Sequence, residues 1–92
     1  MAGDEKDKTI RVTVTFPLGK EGPFKKELPP TTTVATVLDA AMVHFEARPA
    51  PNTTYYLTAK GERQEGTKTI AEVAGEDEDE VSFRLVKEIT QG

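Results

Sequence analysis

The sequence contains no cysteine and only one histidine among its 92 residues. Without cysteine the chain can form no disulfide bond, no thiolate metal site and no cysteine nucleophile. The single histidine, His44, stands among apolar residues with no partner at a suitable spacing, and the sequence has no glycine-rich phosphate-binding loop. We therefore expect that the protein is not an enzyme and that it binds neither a cofactor nor a metal ion.

Long apolar runs are also missing, and the N-terminal residues include no apolar stretch. The sequence therefore predicts no membrane span and no signal peptide, and we expect a cytoplasmic monomer without a membrane partner. The net charge of -4 comes from residues 76–92, which hold six acidic and two basic side chains. Because no part of the chain is strongly basic, nucleic acid is not expected as a partner.

An acidic run, residues 76–80, has a carboxylate at every position. A calcium-binding EF-hand loop needs alternating ligands, a glycine at its sharp turn and a glutamate further along the chain. The run lacks this arrangement, so we predict a solvated loop.

Residues 33–45 carry the clearest periodic pattern in the chain. Their apolar positions recur at the spacing of a helix with one buried face: Val34, Val37, Leu38, Ala41, Met42 and Phe45. Residues 31–33 are threonines that can cap the first amide groups, and Pro29 and Pro30 prevent an earlier start. The pattern predicts one amphipathic helix.

Four other segments are predicted as β-strands: 9–16 and 81–86 from their alternating polarity, 53–58 from its tyrosine and threonine content, and 24–28 as the return strand of a hairpin with Phe24 and Leu28 inward. Residues 69–73 are predicted as a short helical turn that buries Ile70 and Val73. Residues 59–69 are predicted as a polar connection punctuated by Gly61 and Gly66. The first and last strands have unbroken apolar faces, which favours a central position for both of them.

These elements predict an α+β fold in which a mixed sheet of four to five strands packs on one helix. With the first and last strands parallel at the centre and the other strands outside them, this is a β-grasp arrangement. We expect a disordered N-terminal arm over 1–8, one domain over 9–87, and a flexible C-terminal tail over 88–92 that ends in glycine.

From Thr9 to Gly92 the chain resembles ubiquitin and its relatives. The segment Gly61–Ile70, GERQEGTKTI, matches the spacing of the loop that follows the third strand in that family, and Lys68-Thr69-Ile70 stands at the turn that ends it. Counting on from the last strand, Val86 falls on a hydrophobic-patch position and Gly92 falls on the terminal glycine.

The resemblance implies a ubiquitin-like protein modifier, in which an adenylating enzyme activates the carboxylate of Gly92 and passes it to an amine of a target protein. Glycine suits this chemistry because it has no Cβ to crowd the carbonyl group under attack. The chain departs from the family pattern in its tail. It ends in Gln91-Gly92 where relatives have two glycines, and Glu88 and Thr90 stand where relatives have arginines.

The resemblance and the strand parity also place a group of residues on the solvent face of the sheet or in the first loop. We interpret this group as a protein-docking surface: Leu18, Tyr56, Thr58, Arg84 and Val86. Threonine, tyrosine and arginine are equally typical of a sheet face that only meets water. Two further functions stay open, namely a noncovalent interaction module that never uses its tail, and a sulfur carrier whose C-terminus becomes a thiocarboxylate.

Overall fold

A computed structural model describes residues 9–75 and 78–90. Along the chain its elements are β1 (Ile10–Thr15), β2 (Phe24–Leu28), α1 (Val34–His44), β3 (Thr53–Ala59), β4 (Glu62–Arg63), α2 (Ile70–Ala74) and β5 (Glu80–Ile89). The strands form one five-stranded mixed sheet in the order β2-β1-β5-β3-β4. The predicted α+β fold with a β-grasp arrangement is confirmed.

The two strands with unbroken apolar faces lie side by side at the centre of the sheet. β1 and β5 run parallel, with Val12 opposite Val81 and Val14 opposite Phe83. β2 and β3 flank this pair, and each runs antiparallel to its central neighbour. Each strand of this central pair buries three apolar side chains and has a hydrogen-bonded neighbour on both edges.

Helix α1 lies across the apolar face of the sheet. Its N-cap is Thr33, whose hydroxyl oxygen accepts a hydrogen bond from the backbone N–H of Thr36 at 3.3 Å. Of the residues on the predicted buried face, Val34, Val37, Ala41 and Phe45 are buried, while Leu38 and Met42 are half-buried. The helical periodicity of the sequence therefore identified the packed face correctly.

The N-termini of the two helices satisfy each other's free amide groups. The N–H of Val34 donates to the carbonyl oxygen of Lys68 at 2.8 Å, and the N–H of Ile70 donates to that of Thr32 at 2.8 Å. At α2, Thr69 and Glu72 form a capping box. Because the first amides of a helix lack partners within it, these bonds fix α2 beside the start of α1.

The core between the sheet and the helices is entirely apolar. It includes the predicted Ile70 and Val73 of α2 together with the inner side chains of the central strands. Among the residues described, no polar or charged side chain is buried. Neither helix in these parts of the chain has both the length and the apolarity to cross a membrane.

The segment that follows the third strand differs from the sequence-based prediction. Within the predicted polar connection, Lys60 and Gly61 both have positive φ, 55° and 80°, and join β3 to the short strand β4. Positive φ at both central residues is typical of a two-residue hairpin turn. The sequence did not predict this strand because such turns usually have Asn, Asp or Gly, not Lys, at their first central position.

The last strand is longer than predicted. β5 continues to Ile89, with Glu88 opposite Thr54 and Ile89 opposite Thr53. The N–H of Thr90 also donates to the carbonyl oxygen of Asn52 at 2.8 Å. The prediction of a flexible tail is therefore wrong for residues 88–89, because β3 begins early enough to pair with them. The predicted arm over 1–8 and the last two residues lie outside the described residues.

Candidate functional site

The predicted docking residues of β3 and β5 lie on the face of the sheet opposite α1. Tyr56 stands opposite Val86, and Thr58 stands opposite Arg84. The neighbouring Leu57 is only 1% exposed on the inner face, which fixes Thr58 as an outward residue. Since adjacent strand residues point to opposite faces, the strand parity inferred from the sequence is correct for all four outward residues.

Most of the predicted docking residues line one shallow depression on this outer face. Its volume is about 480 Å3. Its lining comprises Phe16, Pro17, Leu18, Thr58, Gly61, Arg84, Leu85, Val86 and Lys87. The structure thus brings together Leu18 from the first loop, Thr58 from β3, and Arg84 and Val86 from β5. We call this feature the Leu18–Val86 depression.

Leu18 is held in place by a tight turn that follows β1. The N–H of Gly19 donates to the carbonyl oxygen of Phe16 at 3.0 Å, with Pro17 in the second position of the turn. The Phe16 ring packs against Phe45 of the core, with the ring centroids 5.5 Å apart. The turn is therefore anchored on the core, while Leu18 projects from the surface with 71% of its area exposed.

Tyr56 lies next to the depression but does not line it. The guanidinium carbon of Arg63 lies 4.4 Å from the centroid of the Tyr56 ring, which is a cation–π geometry. Both residues belong to a separate depression at the edge of the sheet, beside Val34 and Leu38 of α1. Of the five predicted docking residues, Tyr56 is thus the one that the structure places in a neighbouring surface.

Thr58 stands between two arginines on the outer face. It lies opposite Arg84 of β5 on one side and opposite Arg63 of β4 on the other. We call Arg63, Thr58 and Arg84 together the arginine row. Within residues 9–75 and 78–90 the one ion pair joins Arg11 to Glu80 at 3.6 Å, so neither arginine of the row is paired with an acidic side chain there.

His44 has a structural contact at the end of α1. Its Nε2 atom lies 2.9 Å from the carbonyl oxygen of Gly22, and its ring packs edge-on against Phe24 and Phe45. Because a carbonyl oxygen can only accept, Nε2 carries the proton of this hydrogen bond. The described residues also contain no cluster of histidine and acidic side chains that could hold a metal ion.

Two residues of this surface were not predicted from the sequence. Arg63 was missed because β4 was not expected, so nothing placed its side chain beside Thr58. Phe16 was correctly predicted to face inward, since it packs on the core against Phe45, but β1 ends at Thr15 and the half-buried ring also lines the depression, which the sequence did not predict. Pro17, which directly follows Phe16, was the available signal, because proline interrupts a central strand.

The predicted activation site, Gln91 and Gly92, lies outside the described residues. The described chain closest to it is the end of β5 at Ile89, held against Thr53, and Thr90 bonded to Asn52. The described geometry therefore concerns the sheet face, and the tail chemistry stays a prediction.

Comparison with known proteins identifies solved structures that are similar to this chain. No family model matches the chain, and no curated protein matches it by sequence. A ubiquitin of Caldiarchaeum subterraneum is similar over 91% of this chain and 99% of its own, with 23% identity and a TM-score of 0.68. Trypanosoma brucei ATG8 is similar over 97% of this chain and 81% of its own, with 9% identity and a TM-score of 0.68.

A third solved structure leads to the same conclusion. The ubiquitin-like domain of an Arabidopsis thaliana protein is similar over 86% of this chain and 77% of its own, with 20% identity and a TM-score of 0.58. At these identities the likeness concerns the fold. The strand order, the parallel central pair and these neighbours agree, and the chain has a ubiquitin-like β-grasp fold.

Proposed function

We propose that this protein is a ubiquitin-like protein that binds other proteins noncovalently through the Leu18–Val86 depression. The observation that carries the proposal is the convergence of Leu18, Thr58, Arg84 and Val86 on one depression of the outer sheet face. These residues come from a loop and two strands that are distant in sequence. The fold alone brings them together.

The chemistry of the depression suits a protein partner. Leu18 is exposed and Val86 is half-buried, so a partner would remove further apolar surface from water. Burying an exposed aliphatic side chain fully is worth about 1.5–3 kcal/mol. Arg84 and Thr58 beside them supply hydrogen-bond donors that orient a partner, as polar residues around an apolar centre do in protein interfaces.

Native copurification from the organism that encodes this chain tests the proposal. Tagged wild-type protein should recover partner proteins that Val86→Asp loses, because a carboxylate in the depression opposes burial. The matched control is Ser82→Asp, which puts the same charge on the outer face of the same strand but outside the depression. Equal recovery by Val86→Asp and wild type, with both variants folded by circular dichroism, would refute the proposal.

A second function, covalent modification, is supported by the similarity to the Caldiarchaeum subterraneum ubiquitin over nearly all of both chains. In this function an adenylating enzyme joins the Gly92 carboxylate to the AMP part of ATP and releases pyrophosphate. An amine of a target protein then displaces AMP and forms an isopeptide bond. The partners are that activating enzyme and the target proteins, and Gln91 is the residue of the tail that directly precedes the reacting Gly92.

Denaturing electrophoresis separates this covalent function from docking. Deleting Gly92 should abolish conjugates that survive boiling in detergent, whereas Thr90→Ala should leave them unchanged. Conjugates that persist without Gly92 would exclude its carboxylate as the reacting group. If the protein is a sulfur carrier instead, mass spectrometry after recovery with the activating enzyme should detect replacement of one carboxylate oxygen by sulfur, with no conjugates.

A further inference from the structure

We propose that the arginine row, Arg63, Thr58 and Arg84, binds the carboxylates of an acidic protein segment whose aliphatic side chains occupy the Leu18–Val86 depression. This inference rests on the proposed docking function and specifies the chemistry of the partner. Three observations carry it: the register of the strands, the lack of an acidic partner for either arginine among the described residues, and the cation–π contact that holds Arg63.

The register brings the donors of the row to one place. Arg63 and Arg84 both stand directly opposite Thr58, on the two strands that flank β3 and on the same face of the sheet. With strands about 4.8 Å apart, their Cα atoms are roughly 10 Å apart with Thr58 between them. A carboxylate above Thr58 is therefore flanked by two guanidinium groups and can also accept from the hydroxyl.

The acidic residues of the same face do not neutralise the row. Glu80 and Glu88 share the outer face of β5 with Arg84, and each is four residues away, roughly 13 Å along the strand. Glu80 is paired with Arg11. In a chain of net charge -4, two arginines without a described acidic partner lie beside an exposed apolar surface, and this favours an acidic ligand.

Arg63 is also positioned before any ligand arrives. Its guanidinium group lies over the Tyr56 ring at 4.4 Å, and stacking on an aromatic face leaves the in-plane N–H donors free. Less side-chain entropy is then lost when a carboxylate binds. The row therefore combines one stacked arginine with one, Arg84, that borders the apolar depression directly.

A short acidic protein segment fits this surface better than an extended polyanion does. Nucleic acid laid along the sheet would pass from the row toward Glu80 or Glu88, where like charges repel it. The apolar depression beside the row would also be left without an occupant. A segment that alternates acidic and aliphatic residues satisfies both halves of the surface.

An NMR titration with matched peptides tests the proposal on the full chain labelled with 15N. The probe is the capped peptide Asp-Leu-Glu-Leu-Asp, and its neutral counterpart is Asn-Leu-Gln-Leu-Asn. We expect the acidic peptide to shift the amide signals of Leu18, Thr58 and Val86 and to bind about tenfold more tightly than the neutral one. Its affinity should fall as salt is added.

Substitutions in the protein sharpen the test. Arg84→Gln and Arg63→Gln should each lower the affinity for the acidic peptide by about fivefold to tenfold. The affinity for the neutral peptide should stay unchanged. The matched control is Arg11→Gln, which removes an arginine from the same face that is already paired with Glu80. It should change the affinity by less than about twofold. The amide spectrum of each variant reports directly on whether it is folded.

Three results would overturn the proposal. The first is equal affinity for both peptides, which would remove the acidic preference but leave docking intact if Val86→Asp still loses its partners. The second is a loss of affinity in Arg11→Gln as large as in the two variants of the row, which would attribute the effect to the overall charge of the protein. The third is tighter binding of inorganic phosphate or of a thymidine oligonucleotide than of the acidic peptide, with the same amide shifts.

Discussion

The same strands form both faces of the sheet, because successive side chains along a strand point to opposite faces. On β3, Leu57 is 1% exposed in the core, whereas Thr58 beside it lines the depression on the outer face. The inner face works through apolar volume, so its residues are interchangeable within limits of size. On the outer face, the strand register determines which side chains lie beside each other, and the proposed binding depends on that arrangement. Stability therefore depends mainly on the inner face, whereas the recognition that we propose depends on the outer one.

Truncating one residue of each face should give the largest contrast. Leu57→Ala should lower the free energy of unfolding by about 2–5 kcal/mol, because it leaves a cavity in a dry core. Thr58→Ala should change it by no more than about 0.5 kcal/mol. Urea denaturation measures both. Similar losses for the two variants would show that the outer face contributes to stability as much as the core does.

The turn that carries Leu18 connects the two faces and should be sensitive to added volume. A Cβ on Gly19 would lie 2.8 Å from a carbon of the Phe16 ring, so Gly19→Ala should cost about 1–3 kcal/mol. The control is Gly22→Ala in the same loop, where nothing lies within 4 Å of the added atom. It should be neutral or slightly stabilising in thermal unfolding. A neutral Gly19→Ala would mean that the turn is not packed on Phe16.

The helix caps contribute to the stability of the fold through hydrogen bonds at the helix N-termini. Thr69→Ala removes the hydroxyl that accepts from the N–H of Glu72, and should cost about 1 kcal/mol of unfolding free energy. Thr67→Ala, an exposed threonine just outside the cap, is the control and should be close to neutral. Equal effects in urea denaturation would exclude the capping box as the cause.

The smallest expected effect on stability is on the outer face. Arg63→Gln should cost about 0.5–1 kcal/mol through loss of the contact with Tyr56, while Arg84→Gln should leave stability unchanged. A double-mutant cycle with Tyr56→Leu measures the coupling between Arg63 and the ring. A coupling energy of zero would show that the stacking does not hold Arg63 in place.

The features that the sequence predicted are those that depend on burial. Alternation in β1 and β5 and helical spacing in α1 follow from which residues must avoid water, and the structure confirms all three elements. The outward set of Thr58, Arg84 and Val86 follows from the same parity. These predictions needed no knowledge of long-range contacts beyond the position of the core.

The features that the sequence did not predict depend on pairing between distant segments. β4 is two residues long and has no periodicity of its own, and it exists because the turn at Lys60 and Gly61 returns the chain to β3. The extension of β5 to Ile89 likewise requires the start of β3 as a partner. The contact of Arg63 with Tyr56 follows from β4, so it could not be inferred before that strand was known.

The most direct measurement is to map the amide signals of the 15N-labelled chain on addition of a partner protein that the wild type recovers and Val86→Asp does not. We expect the changed signals to cluster on Leu18, Thr58, Arg84 and Val86. Signals of the outer surface of α1 around the exposed Val43, which lies on the other side of the molecule, should stay unchanged. Changes centred on Val43 or on the free edge of β2, with the depression unaffected, would contradict the assignment of recognition to the outer sheet face.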